Sequence, residues 1–207
     1  EGSFLCYTPP PHASEPAPPP SVKNGYVTFG SFNTLTKISN HVLDVWADLL
    51  LQVPGSRLFL KSMALAMPAT RERVWTHLAA KGVERSRVDL EGETKGKGEH
   101  MQMYSRIDVG LDTWPYNGTT TTVEAMYMGV PVVTIAGNSH VSRVGVSLLS
   151  NTGLPDLIAS GSLKGDLQIQ TDWTDGHDSI ETMARAAMAA GLEYIAITDH
   201  AVGLAMT

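Results

Sequence analysis

The run Asn117-Gly118-Thr119-Thr120-Thr121-Thr122 is the stretch of this sequence whose residue types best suit chemistry. It stands between an apolar run that reads as a strand and a run that reads as a helix. The first turn of a helix leaves backbone N–H groups unpaired and carries the positive end of the macrodipole, so an anion such as phosphate suits it. Threonine hydroxyls add donors, and Gly118 lets a ligand approach the backbone. Glu124 follows Thr121 by three residues, giving the Thr-x-x-Glu pattern of a capping box, so ordinary helix capping competes as the explanation of the same residues. The carboxyl end of a strand is also where open α/β sheets hold ligands.

The elements that must position this turn follow from the hydrophobic pattern. Residues 26–30, 57–60, 88–90, 108–112 and 131–136 read as short buried strands. Between them, residues 40–53 place Val42, Leu43, Trp46, Leu49 and Leu50 at helical spacing and close on Pro54-Gly55. Residues 70–81 predict a helix ended by Gly82, residues 99–105 a short one, residues 121–128 one stopped by Gly129, and residues 142–150 another. Strands separated by helices need crossovers, which predicts an α/β fold: a parallel sheet with helices on both faces. Seven of the 12 prolines fall before residue 21, so residues 1–25 read as an extended linker or tail with neither helix nor central strand. Near Ala159-Ser160-Gly161-Ser162 the texture changes again. Residues 166–171, 178–190 and 194–198 then read as one βαβ unit, its helix opened by a capping box of Asp178 and Glu181. No internal repeat is present.

Composition bounds the function. The 207 residues are 43% hydrophobic and 17% charged, which is ample for a core. A net charge of -6 argues against nucleic-acid binding through a broad basic face. The single cysteine, Cys6, excludes an internal disulfide framework and a multi-cysteine zinc site. No run of about 18 apolar residues predicts a membrane span, and residues 1–20 lack the pattern of a secretory signal, so a cytoplasmic protein is expected.

The runs at 27–33 (Val-Thr-Phe-Gly-Ser-Phe-Asn), 111–122 (Leu-Asp-Thr-Trp-Pro-Tyr-Asn-Gly-Thr-Thr-Thr-Thr) and 129–134 (Gly-Val-Pro-Val-Val-Thr) resemble the protein O-linked N-acetylglucosamine transferases of the SPINDLY-like group. Glu99-His100, Ser142-Arg143-Val144-Gly145 and Leu157-Ile158-Ala159 continue the likeness in order, which covers roughly residues 4–159. The resemblance implies a GT-B architecture, of which residues 26–160 would be the Rossmann-like domain that holds UDP. It implies that Lys37 neutralises the leaving diphosphate, a role that suits a cation where charge builds. It places Asn117, Gly118, Thr119, Thr120 and Thr121 at the diphosphate, Glu124 on the ribose hydroxyls, His100 on the uracil and Lys97 nearby on the nucleotide. Thr34 stands near the phosphates, where some members carry Gln. The partners implied are UDP or a UDP-sugar of the UDP-GlcNAc type, with no metal or other cofactor called for. A protein acceptor would need the upstream half of the catalytic region, which these residues do not include.

Gly165 to Thr171, Thr174-Asp175-Gly176 and Tyr194 to His200 resemble a different family, the start of the PHP phosphoesterase domain attached to family X DNA polymerases. That resemblance assigns residues 161–207 to a PHP-like fragment. Where that family carries two histidine ligands, Gln168 and Gln170 stand here, and amide oxygens are weak ligands. Asp175 and His200 remain as metal candidates, too few to close a site. The expectation is therefore a nucleotide-sugar-binding domain with little turnover alone. Two alternatives stand beside it: a chimera of two α/β fragments, engineered or recombined, with neither activity surviving, and a metal-dependent phosphoesterase. The C-terminal strands are expected to add to the Rossmann-like sheet, and apolar surface left by both truncations could join copies of the chain.

Overall fold

Alternation of apolar side chains along Arg57-Leu58-Phe59-Leu60 explains how the molecule is layered. Leu58 and Leu60 point to one face of the sheet and Phe59 to the other, as the two-residue period of a strand requires. The computed structural model describes residues 7–11, 13–92, 94 and 96–151, and beyond them 165–169, 179, 181–182, 185, 188 and 194–197. It forms two compact units, residues 1–152 and 153–207.

In the first unit, β1 (Thr28–Ser31), β2 (Arg57–Lys61), β3 (Val88–Glu91), β4 (Val109–Leu111) and β5 (Val132–Val133) make a five-stranded sheet in the order β3-β2-β1-β4-β5. Every pairing is parallel, with Phe29 opposite both Leu58 and Val109. The chain moves outward from β1 to β3, then returns to β4 on the other side of β1. The carboxyl ends of β1 and β4 are therefore the topological switch point, where such sheets open a crevice.

Helix α2 (Asn40–Gln52) is capped by Ser39, whose hydroxyl accepts from the Val42 N–H at 3.3 Å. Its stripe Val42, Leu43, Trp46, Ala47 and Leu50 is buried against Leu58, Leu60, Val88 and the Val74 and Leu78 of α3 (Pro68–Ala80). Pro68 occupies the first turn of α3, where its missing N–H costs no intrahelical bond. The opposite face of the sheet is covered by α4 (Lys97–Gln102), the 3-10 turn Met103–Arg106 and α5 (Thr120–Tyr127), which bury Met101, Tyr104, Ile107, Ala125 and Met128 with Phe32 and Phe59. Gly30 is the point of closest approach: a Cβ there would collide with the Ile107 side chain. Helix α6 (Val144–Asn151) completes the unit.

The predicted strands and helices of residues 26–150 all form, with ends displaced by a few residues; two of these differences, and one addition in the tail, bear on the fold. The final strand is only Val132–Val133, an edge whose Val133 and following Ile135 are exposed. The last helix starts two residues later than predicted, after a 3-10 turn His140–Ser142 closed by the Ser139 and Ser142 hydroxyls. The tail carries one helical turn, α1 (Ser21–Asn24), where none was expected. Its four residues contain no proline, and Pro20 serves as its N-cap.

In the second unit, β6 (Gly165–Ile169) and β7 (Tyr194–Ile197) pair in parallel with each other, as a βαβ unit demands. They form a two-stranded sheet in the order β6-β7. Residues 181, 182, 185 and 188 are helical, as the pattern predicts. Asp175, His200 and the Asp178 cap lie outside the described residues. Among the described residues no helix is long and apolar enough to cross a membrane.

Candidate functional site at the switch point

Asp112, directly after β4, organises the turn. Its Oδ1 accepts from the Gly118 N–H at 2.6 Å and the Thr113 N–H at 2.8 Å, and its Oδ2 from the Thr134 hydroxyl at 2.8 Å. Burial pushes this carboxyl above the usual carboxylate range, while the three hydrogen bonds and Lys37 work against the rise. Asn117 is fully buried, its amide donating to the Thr113 carbonyl at 2.9 Å and its Oδ1 accepting from the Gly145 N–H at 3.3 Å. These bonds leave the N-terminus of α5 facing the loop that follows β1. Thr121 crosses that gap, its hydroxyl donating to Asn33 Oδ1 at 3.1 Å. Thr119 is half-buried and Thr120 exposed.

Lys37 ends the 3-10 turn Leu35–Lys37 after β1. Its Nζ donates to the Asn117 carbonyl at 2.8 Å and lies 3.8 Å from the centre of the Tyr116 ring. Burial lowers the proton affinity of its ammonium, and Asp112 acts in the other direction. A cation thus stands at the mouth of the turn that opens α5.

Glu124 lies one turn into α5. It does not fold back to cap the helix: the N-cap is Thr119, with no side-chain cap hydrogen bond. The carboxylate instead meets His100 Nε2 at 2.9 Å and accepts from the Tyr104 hydroxyl at 3.1 Å. On the other side of the imidazole, Nδ1 lies 2.8 Å from Lys61 Nζ. The capping-box reading of Thr121 and Glu124 is therefore incorrect, because partners from α4 and the turn after it claim the carboxylate.

His100 stands between two clefts. One, of about 970 Å³, is lined by Phe32, Thr34, Lys61, Thr94, Gly96 and His100 among others. The other, of about 540 Å³, lies between His100, Met101 and Glu124 and the tail residues Tyr7 to Pro11. Thr34 meets Thr36, hydroxyl to hydroxyl, at 2.8 Å. Lys97 opens α4, three residues ahead of His100.

The structure thus brings Lys37, Thr34, Asn117 to Thr121, His100 and Glu124 to one end of the sheet. Three residues the sequence reading passed over join them: Lys61, Asp112 and Asn33. Each is a polar residue at or just past the carboxyl end of a strand, which is the signal that could have found them. Among the described residues no group of three or more His, Cys, Asp or Glu side chains is placed to hold a metal ion.

Known proteins resemble this chain in sequence and fold. Residues 21–187 match the family described as Glycosyl transferase family 41. A probable UDP-N-acetylglucosamine–peptide N-acetylglucosaminyltransferase SPINDLY of Arabidopsis thaliana is 52% identical over 156 residues, 75% of this chain and 17% of the relative. The protein of the same description from Solanum lycopersicum is 47% identical over 175 residues, 83% of this chain and 19% of the relative. Among solved structures, the K341M mutant of Thermobaculum terrenum O-GlcNAc transferase superposes with a TM-score of 0.65 at 41% identity, covering 72% of this chain and 28% of that one. The chain therefore spans about a fifth of the length of these curated relatives. The five-stranded parallel sheet is one half of a GT-B fold, and the chain belongs to glycosyl transferase family 41.

Proposed function

We propose that this chain is the donor-binding part of a protein O-glycosyltransferase that uses a UDP-sugar of the UDP-GlcNAc type. The observation that carries the reading is the placement of Lys37 Nζ, 2.8 Å from the Asn117 carbonyl, at the mouth of the turn that opens α5. A diphosphate there meets the unpaired N–H groups and positive dipole of the first turn, the Thr119, Thr120 and Thr121 hydroxyls and one ammonium. As the sugar leaves, negative charge grows on the departing phosphate, and a cation fixed in advance stabilises it without reorganising. Thr34 stands on the same rim. Glu124, an acceptor held by His100 and Tyr104, suits the ribose hydroxyls. His100, with Lys97 ahead of it on α4, suits the planar base. This chemistry calls for no metal, because Lys37 and the helix terminus supply the positive charge.

The acceptor in this reading is a polypeptide, in keeping with the peptide that the names of the relatives state for those proteins. Positioning an acceptor supplies much of the rate in such a transfer. Residues contributed by the rest of the longer relatives would do this, so the chain alone binds donor with little or no turnover. Titration calorimetry with UDP tests the reading. The wild-type chain should bind saturably, and Lys37→Ala should weaken binding by about tenfold or more, as loss of a charge-assisted contact does. A folded chain with no affinity for UDP would overturn it.

A further inference from the structure

Lys61 is a lysine at the carboxyl end of β2 with only 9% of its surface exposed. It lines the larger cleft and places Nζ 2.8 Å from His100 Nδ1. An ammonium has three donors and no acceptor, and a carboxylate has acceptors only. With Lys61 as an ammonium and Glu124 as a carboxylate, the imidazole between them accepts at Nδ1 and donates at Nε2, the arrangement of the neutral Nε2–H tautomer. A doubly protonated ring would turn a second donor and a second positive charge toward Lys61.

Besides the Phe32 ring, 5.9 Å away, the titratable groups that face this imidazole come from four segments. Lys61 reaches it from β2 and Glu124 from α5. The Tyr104 ring, from the turn after α4, lies 5.7 Å away edge-on and sends its hydroxyl to the same Glu124 oxygen. Tyr7, from the tail, lies across the second cleft beside Glu124. Of these only Lys61 touches Nδ1, so only Lys61 distinguishes the two ring nitrogens.

We propose that Lys61 is a positioning residue for the donor site: it holds His100 in the Nε2–H tautomer, ring pinned to Glu124, before any nucleotide arrives. The proposal rests on the donor-binding reading above. It adds that the ring offered to the base is neutral and its orientation fixed by a residue that need not touch the nucleotide. Such pre-organisation removes an ordering cost from binding.

The experiment is a long-range proton–nitrogen NMR spectrum of the histidine rings of the uniformly labelled full chain, free and with UDP. The His100 signals are assigned by their loss in His100→Gln. In the free wild type, Nδ1 should be bare and Nε2 protonated. Lys61→Met should give a mixture of tautomers or a doubly protonated ring, with UDP affinity lowered roughly tenfold, the size expected for an orphaned polar contact. Lys61→Arg, which keeps a donor-only cation, should restore the tautomer and most of the affinity. A Lys61→Met chain with wild-type ring signals overturns the proposal, as does a changed ring with unchanged UDP affinity. A protonated Nδ1 in the wild type overturns it without any variant, which decides the matter if Lys61→Met does not fold. A wild type with the stated tautomer and no affinity for UDP refutes the donor-binding reading instead, and with it the positioning role.

Discussion

At Asp112 a carboxylate spends its lone pairs inside the fold, on two backbone N–H groups and one hydroxyl, while burial makes its charged form costly. Those two facts give a pH dependence whose sign can be stated. The folded-state proton affinity is higher than that of the unfolded chain. Between the two values the native state holds more protons than the unfolded state, so this group's contribution to stability falls as pH rises through that window. Asp112→Asn has no proton to exchange there and keeps one acceptor oxygen in place of two. It should lose about 1–3 kcal/mol at neutral pH for the donor left unpaired. Because the wild type is relieved of its penalty on acidification, its advantage over the variant should widen as the pH falls from about 7 to about 4, the range of an unfolded aspartate. Urea unfolding of both proteins at the two pH values checks this, and an advantage that narrows on acidification would contradict the account. Gly118 has a simpler constraint. A Cβ there would lie 2.6 Å from the Thr121 hydroxyl, 2.8 Å from Asn33 Oδ1 and 2.9 Å from the Thr122 hydroxyl. Gly118→Ala should therefore displace the turn and weaken UDP binding by about tenfold or more, with a smaller effect on melting, since what moves is the rim and not the core. Equal affinity in the variant would show that the turn does not touch the ligand.

Among the elements, α2 is held at both ends by different means. Ser39 caps its start, and its end is closed from a distance by Arg87, the last residue before β3. The guanidinium donates to the Leu50 carbonyl at 2.6 Å, the Val53 carbonyl at 3.2 Å and the Ser56 carbonyl at 2.7 Å. It satisfies carbonyls that a helix end leaves open and places positive charge at the negative end of the dipole. Arg87→Met should destabilise the chain by about 2 kcal/mol while leaving UDP affinity within about twofold, because Arg87 closes the end of α2 that leads into the amino end of β2, and Lys37 stands before the opposite end. Thermal melting beside UDP titration separates the two effects. This capping was not legible in the sequence, since Arg87 lies far from α2 along the chain and only the sheet brings them together. The helices and strands themselves were legible because their apolar periods are local: Val42, Leu43, Trp46 and Leu50 announce a helix face without reference to anything else. Strand order was not, for parallel pairing is a tertiary fact. In the site, Lys37, His100 and the threonine turn were legible through their resemblance to a family. Lys61 was hidden because a lysine closing an apolar strand looks like an ordinary strand end. A capping box competes for Glu124 at the level of sequence because spacing shows which residues can reach one another and says nothing of a stronger partner such as His100.

Across the whole molecule, the division at residue 152 raises the question of what the later residues contribute. Both buried clusters draw their residues from the first unit, between Ala13 and Val132, and Val144 and Leu148 of α6 are buried within it as well. Every described residue of the proposed donor site also belongs to that unit. The second unit contributes a two-stranded sheet, and a pair of strands has too little surface to fold alone. The family match nevertheless runs to residue 187, well into it. These facts make opposing demands, and a chain ended at Thr152 decides between them. If the core and the site are complete in the first unit, the shortened chain should unfold in one cooperative step within about 4 °C of the full chain, the shift that about 1 kcal/mol produces at this size. Its UDP affinity should match that of the full chain, and Lys37→Ala should weaken it to the same degree. Lost affinity with intact melting would mean that residues beyond 152 complete the donor site, as the extent of the family match would then require. Lost melting would mean that they cover part of the sheet. Retention of both would make the donor site a property of one five-stranded sheet and its switch point, with acceptor selection and turnover left to the remainder of the longer proteins it resembles.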